Sequence, residues 1–232
     1  MTFDPPAPSR SARVEAVSRV MMRPVGSPLP LGMLALGAAS IVLTGEQLKW
    51  LPLAETHEVA LVVLVFTVPL QFLAAVFGYL SRDGAGGTGM AVLAGSWVTI
   101  GLLQLLSTPG TRSPTLGLFL FFASGALAVP VVAASLGKIL AAMVFFMAAF
   151  RFALTGIYEF NGGGAWQHAS GWFGLALCIV AVYSSMAFEL EDTEHHTVLP
   201  VLRWGTGRRA MDGSFIDEVE RVQREAGVRE QL

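Results

Sequence analysis

Six apolar runs, each about long enough to cross a bilayer, are separated by short polar turns between Leu29 and Leu190. A hydrocarbon core about 30 Å thick takes about 20 apolar residues per helix, and backbone groups inside it must pair within the chain. The pattern predicts an all-α membrane protein of six transmembrane helices, with almost no room for a soluble active site. Composition agrees: the chain is 53% hydrophobic and only 14% charged, and its net charge of -2 is too small to point to nucleic acid. The single cysteine, Cys178, falls in the last run, which leaves neither a disulfide nor a cysteine-based zinc site.

Three regions are expected: a disordered cytoplasmic lead over 1–26, a six-span membrane domain over 27–202 and a cytoplasmic tail over 203–232. The lead has no apolar core of its own and does not read as a cleavable signal peptide. The spans are placed at about Pro30–Leu43, Val59–Leu80, Thr88–Leu106, Leu116–Leu136, Ile139–Tyr158 and Ser170–Phe188. Within these bounds no acidic residue occurs, which argues against a proton pump or a cation pathway. Gly137-Lys138 demands a hairpin between the fourth and fifth spans. In the tail, Ser214 and Asp217 form a capping pattern ahead of Phe215, Ile216, Val219 and Val222, predicting a short amphipathic helix.

Orientation follows the basic residues. Arg10, Arg13, Arg19 and Arg23 in the lead, Arg82 and Lys138 in two turns, and the arginines from Arg203 onward share one side. Only Lys49 and Arg112 stand on the other. Both termini are therefore expected in the cytoplasm. Lysine occurs only at 49 and 138, all other basic residues being arginine, a bias of GC-rich bacterial genomes. The expected location is a bacterial inner membrane, crossed several times.

The most specific local signal is Ser27-Pro28-Leu29-Pro30-Leu31-Gly32, a Pro-x-Pro turn opening a short first helix. Prolines at 28 and 30 lack amide donors and favour an extended lead-in before Pro30, and Gly32 lets another backbone approach. Further along come Gln71 in span two, Gly95-Ser96-Trp97 in span three, and His168-Ala169-Ser170-Gly171-Trp172-Phe173-Gly174-Leu175 opening span six. Tyr183 and then Thr197-Val198-Leu199-Pro200 follow. This ordered set, over Ser27 to Leu202, resembles the acetate–succinate permease family, the acetate uptake transporters of bacteria and fungi, whose opening signature is Asn-Pro-Ala-Pro-Leu-Gly. The resemblance implies a six-helix protomer with its own pore, assembled as a hexamer and passing small mono- or dicarboxylates. Pro28, Pro30, Leu31 and Gly32 correspond to its opening motif. Ser27 replaces the signature asparagine. Leu36, Ala94 and Ala148 fall where the family narrows its pore with phenylalanine, tyrosine and leucine, on spans one, three and five. Two bulky groups are thus missing, which implies a wider pore, a different gate or a larger substrate.

Arg151 stands apart from that pattern. It lies about 12 Å inside span five at 1.5 Å per residue. A guanidinium at such depth faces protein or water rather than lipid. In a pore it attracts carboxylates; the competing reading is snorkelling or pairing with Glu159. Gln71, Ser96, Gln104 and Tyr183 are uncharged polar groups in apolar spans, suited either to helix–helix hydrogen bonds or to lining a path. His168 sits at the external mouth, where a group titrating near neutrality could couple proton and anion entry, or cap a helix. Glu191, Asp192, Glu194, His195 and His196 read as a solvated charge run rather than a metal site.

The substrate pathway is therefore expected to use Arg151, Gln71, Ser96, His168 and Tyr183, with no catalytic residue, metal or cofactor. The function implied is passive or proton-linked passage of small carboxylates through a lipid-embedded homo-oligomer. Two readings stand beside it: a non-transporting scaffold or sensor acting through its tail, and a channel for a neutral solute such as ammonia.

Overall fold

A computed structural model of the chain describes residues 26–205, 207 and 208. The lead before Gly26 and the amphipathic tail helix expected around Ser214–Val222 lie outside the described residues.

Among the described residues, six helices are long and apolar enough to cross a membrane: α1 (Leu29–Gln47), α2 (Leu53–Leu80), α3 (Gly84–Leu106), α4 (Pro114–Ser135), α5 (Ile139–Asn161) and α6 (Gly164–Glu194). Each turn is built from local chemistry. Asp83 caps α3 by accepting from the Gly86 amide at 3.0 Å, and Ser113 caps α4 by accepting from the Leu116 amide at 3.2 Å. The α5–α6 turn is only Gly162-Gly163, at φ of 70° and 90°, where a side chain would be strained.

Two helices carry internal proline. In α2 a wide π turn at Val63–Thr67 ends two residues before Pro69, absorbing the ring's conflict with the preceding turn and its missing amide. In α4 Pro130 is interior as well.

Helix bounds correct the sequence reading in three places. First, α1 begins at Leu29 rather than Pro30, and Pro28 takes helical angles (φ -78°, ψ -15°) instead of extended ones. The Pro28 carbonyl accepts from Gly32 N at 3.2 Å, while the prolines fall where first-turn amides have no partner anyway. Second, α1 runs on to Gln47, and α5 to Asn161, so Glu46 and Glu159 belong to spans that were read as free of acids. Third, α6 runs from Gly164 to Glu194, so His168 lies inside it rather than ahead of it.

Sequential helices pack side by side and α6 returns against α1, so the six close into a ring. Its interior is apolar over most of its depth: Met33, Leu36, Leu93, Trp97, Phe145 and Phe152 are buried in one cluster. Leucines, isoleucines, valines and phenylalanines, such as Phe72, Phe122 and Ile179, cover the outside and remain exposed, as a lipid-facing surface requires.

One end of the ring holds both described chain ends, and the Ser27 amide reaches Asp192 Oδ2 at 3.2 Å. After α6 the chain folds back across this end as a strap, Thr197–Trp204. Arg203 donates through Nε and Nη2 to both oxygens of Glu191, and Trp204 Nε1 donates to the Ser135 carbonyl at 2.6 Å. Lys138 pairs with Asp83 at 2.6 Å. Glu191 is thus a buried, paired group, not part of a solvated run.

Candidate functional site

At the opposite end, the ring opens into a cavity of about 440 Å³. Its walls come from the C-terminal parts of α1, α3 and α5, the N-terminal turns of α2, α4 and α6, and the loops between them. Arg151 and the aromatic pair Trp97 and Phe152 are among the lining residues. The two rings meet edge to face, with centroids 5.4 Å apart and planes at 75°.

Arg151 is only 2% exposed. Its Nη2 donates to Gln47 Oε1 at 3.1 Å. Gln47 is held in turn by donating from Nε2 to Thr155 Oγ1 at 3.4 Å. Thr155 spends its proton on the Arg151 carbonyl at 3.0 Å and therefore accepts from Ser170 Oγ at 2.7 Å. On the other flank the guanidinium lies against Gly174, where a Cβ would fall 2.5 Å from Arg151 Cζ and 2.5 Å from Thr44 Oγ1. Thr44 is occupied with the Gly171 carbonyl at 3.2 Å. The arginine is fixed from α1, α5 and α6 together.

What is missing is as informative. Among the described residues no carboxylate lies within ion-pair reach of Arg151, and its Nη1 has no hydrogen-bond partner. Glu159, the partner in the competing reading, instead accepts from the Ser113 amide at 2.7 Å through Oε2. The pairing reading for Arg151 is not what the fold uses. Trp97 Nε1, on a side chain 1% exposed, is likewise unpartnered, and so is Gln104 Oε1. Among the described residues, three of the five buried side-chain polar atoms without a partner belong to residues lining this one cavity. Such atoms are costly in a folded interior unless something else binds them.

The acceptor side of the cavity is ordered too. Glu46 accepts from Thr56 Oγ1 at 3.1 Å and from Gln104 Nε2 at 2.9 Å. That bond fixes the Gln104 amide, so the atom left without a partner is an acceptor.

Of the expected pathway residues, Arg151 alone lines the cavity. Gln71 is fully buried on α2, donating to the Gly32 carbonyl of the opening motif at 3.3 Å, with Oε1 unpartnered. Ser96 turns back onto the Val92 carbonyl at 2.7 Å. Tyr183 donates to the Pro200 carbonyl at 3.1 Å, holding the strap at the far end. His168 is exposed on α6, while its neighbour Gln167 lines the cavity. Pro28 and Leu31 are half-buried, Pro30 and Gly32 buried, and Ser185 Oγ donates to the Pro30 carbonyl at 2.8 Å. Met90 Sδ packs where a Gly32 Cβ would stand, 2.5 Å away.

Leu36, Ala94 and Ala148 are all buried, and none lines the cavity. The bulk absent at Ala94 and Ala148 is present nearby on the same helices, at Trp97 three residues on and at Phe152 four residues on. Sequence reasoning passed over both as a site, as it did Glu46, Gln47 and Gly174. The available signal was Thr44-Gly45-Glu46-Gln47 directly beyond an apolar run, one further helical turn carrying three polar side chains. Among the described residues no cluster of histidine, cysteine and acids suits a metal.

A closed ring of six membrane-length helices with a cavity at one end defines a multi-span membrane protein. No protein-family model matches the sequence, and no curated protein does. A solved structure, that of the bacterial acetate channel SatP, matches with a TM-score of 0.66 and 25% identity, covering 75% of this chain and 98% of that one. That likeness supports the resemblance to the acetate uptake transporter family read from the sequence.

Proposed function

We propose that the protein is a channel for small carboxylate anions and that the cavity is its external vestibule. The observation carrying this reading is the Arg151 guanidinium: buried in the cavity wall, held on one side by Gln47, and with Nη1 unpartnered. A carboxylate supplies the missing acceptor, and Trp97 Nε1, on the same cavity wall, is a second unpartnered donor. The likeness to an acetate channel supports an anion of that kind.

In this reading both chain ends face the cytoplasm and the vestibule faces outward, as the arginine distribution asks. Trp97 and Phe152 close the floor, and the strap closes the inner end, so passage needs the aromatic pair to part. The protomer works within a homo-oligomer in a bacterial inner membrane, a hexamer by resemblance, and catalyses no covalent chemistry. The open choice between passive and proton-linked flux turns on whether imposed pH gradients drive uptake.

The test is uptake of labelled acetate into liposomes carrying the purified protein. The wild type should exceed empty vesicles, and Arg151→Gln should lose at least about tenfold, the weight of one charge-assisted hydrogen bond. Equal uptake by the variant would overturn the role of Arg151, and no uptake by the wild type would favour a scaffold.

A further inference from the structure

The vestibule is built for more than a simple anion. Its donors and acceptors are segregated: Arg151 Nη1 and Trp97 Nε1 lack acceptors, while Gln104 Oε1 lacks a donor and adjoins the Glu46 carboxylate through the same amide. Glu46 and Gln47 are consecutive, so the acceptor group and the anchor of the guanidinium stand at one level of the cavity. Neither Glu46 oxygen is saturated, since each accepts one bond and a carboxylate has about four acceptor positions. A second carboxylate, Glu159, also lines the wall.

A monocarboxylate such as acetate satisfies the donors and leaves Gln104 Oε1 and Glu46 facing an empty, partly desolvated space. A dicarboxylate is worse, because its second charge meets two acids with one guanidinium already used. A volume of 440 Å³ also exceeds what a two-carbon acid fills, lying within the range of pockets that enclose larger ligands. The ligand that completes both sets carries one carboxylate and one cationic donor.

We infer that the vestibule binds a small zwitterionic amino acid, its carboxylate on Arg151 and Trp97 and its ammonium on Glu46 and Gln104. This rests on the reading of the cavity as a carboxylate vestibule and narrows the substrate class within it. The ammonium brings three donors to a site holding two acceptors and a negative charge, whereas a hydroxyl brings one donor and no charge.

Ligands of matched skeleton test it. Propionate, lactate and alanine differ only at one substituent; butyrate and γ-aminobutyrate vary the spacing between the charges. Each is titrated calorimetrically against the purified full-length protein and used to compete with labelled acetate in liposomes. At least one amino acid should bind about tenfold or more tighter than its parent acid, as a charge-assisted contact implies. Glu46→Gln should bring that ratio close to one. The wild-type series stands even where the variant folds poorly. If neither amino acid exceeds its parent, or lactate exceeds alanine, the zwitterion assignment is overturned while the carboxylate vestibule stands. If no compound binds and acetate does not pass, both readings fall together.

Discussion

The two ends of the helix ring treat their charges in opposite ways. At the strapped end, Arg203 meets both oxygens of Glu191, Lys138 meets Asp83, and Trp204 Nε1 has the Ser135 carbonyl. At the cavity end, Arg151 has a neutral amide for a partner and a free Nη1, and Trp97 Nε1 has nothing. Both ends invest an arginine and a tryptophan. One end uses them to hold the chain together, the other leaves them incomplete around a space. Unmet bonding capacity costs free energy in a buried setting, so its concentration at one end marks where a ligand belongs.

The sharpest way to break this contrast is to remove the two arginines separately. Arg203→Gln leaves Glu191 without its counter-ion in a buried position and should cost about 3 kcal/mol of stability, read as a lower melting temperature in detergent, with acetate flux per folded molecule kept. Arg151→Gln should do the reverse, losing flux with little change in melting. If both variants lose stability alone, the cavity end is merely structural.

Gly174→Ala comes next. The new Cβ would sit 2.5 Å from Arg151 Cζ, so the guanidinium must shift. A loss of about 1–3 kcal/mol is expected from overpacking, with weaker anion binding by calorimetry. Unaltered binding would mean that the position of the guanidinium is unimportant.

Trp97→Phe keeps an aromatic ring against Phe152 while deleting the unpartnered Nε1. It should weaken acetate binding by about 1 kcal/mol, the worth of one neutral hydrogen bond, and leave melting nearly constant. The smallest effect belongs to Lys138→Met. Its partner Asp83 and its own side chain are partly exposed, 17% and 29%, so less than about 1 kcal/mol should be lost.

The spans were legible because hydrophobic length is dictated by the bilayer, and each predicted run became a helix. Span ends were less legible, for a physical reason. Glu46 and Gln47 continue α1 because their polar groups find partners on α2, α3 and α5, and hydropathy along one segment carries no trace of those partners. The depth of Arg151 was readable from its own helix. Its neighbours were not, since Gly174 and Thr44 meet it only once the ring closes. Tyr183 shows the converse. An isolated polar group in an apolar run looked like a pathway residue, yet its hydroxyl holds the Pro200 carbonyl of the strap. Resemblance to a pore pattern placed the constriction at Ala94 and Ala148, while the aromatic bulk of this chain lies at Trp97 and Phe152.

The central claim is most directly tested by locating a heavy-atom carboxylate, bromoacetate, by anomalous diffraction from crystals of the intact protein. The carboxylate should lie in the vestibule, with an oxygen about 3 Å from Arg151 Nη1 and the other within reach of Trp97 Nε1. Bromine density elsewhere along the ring, with Arg151 still bonded to Gln47 alone and the vestibule holding only water, would contradict it.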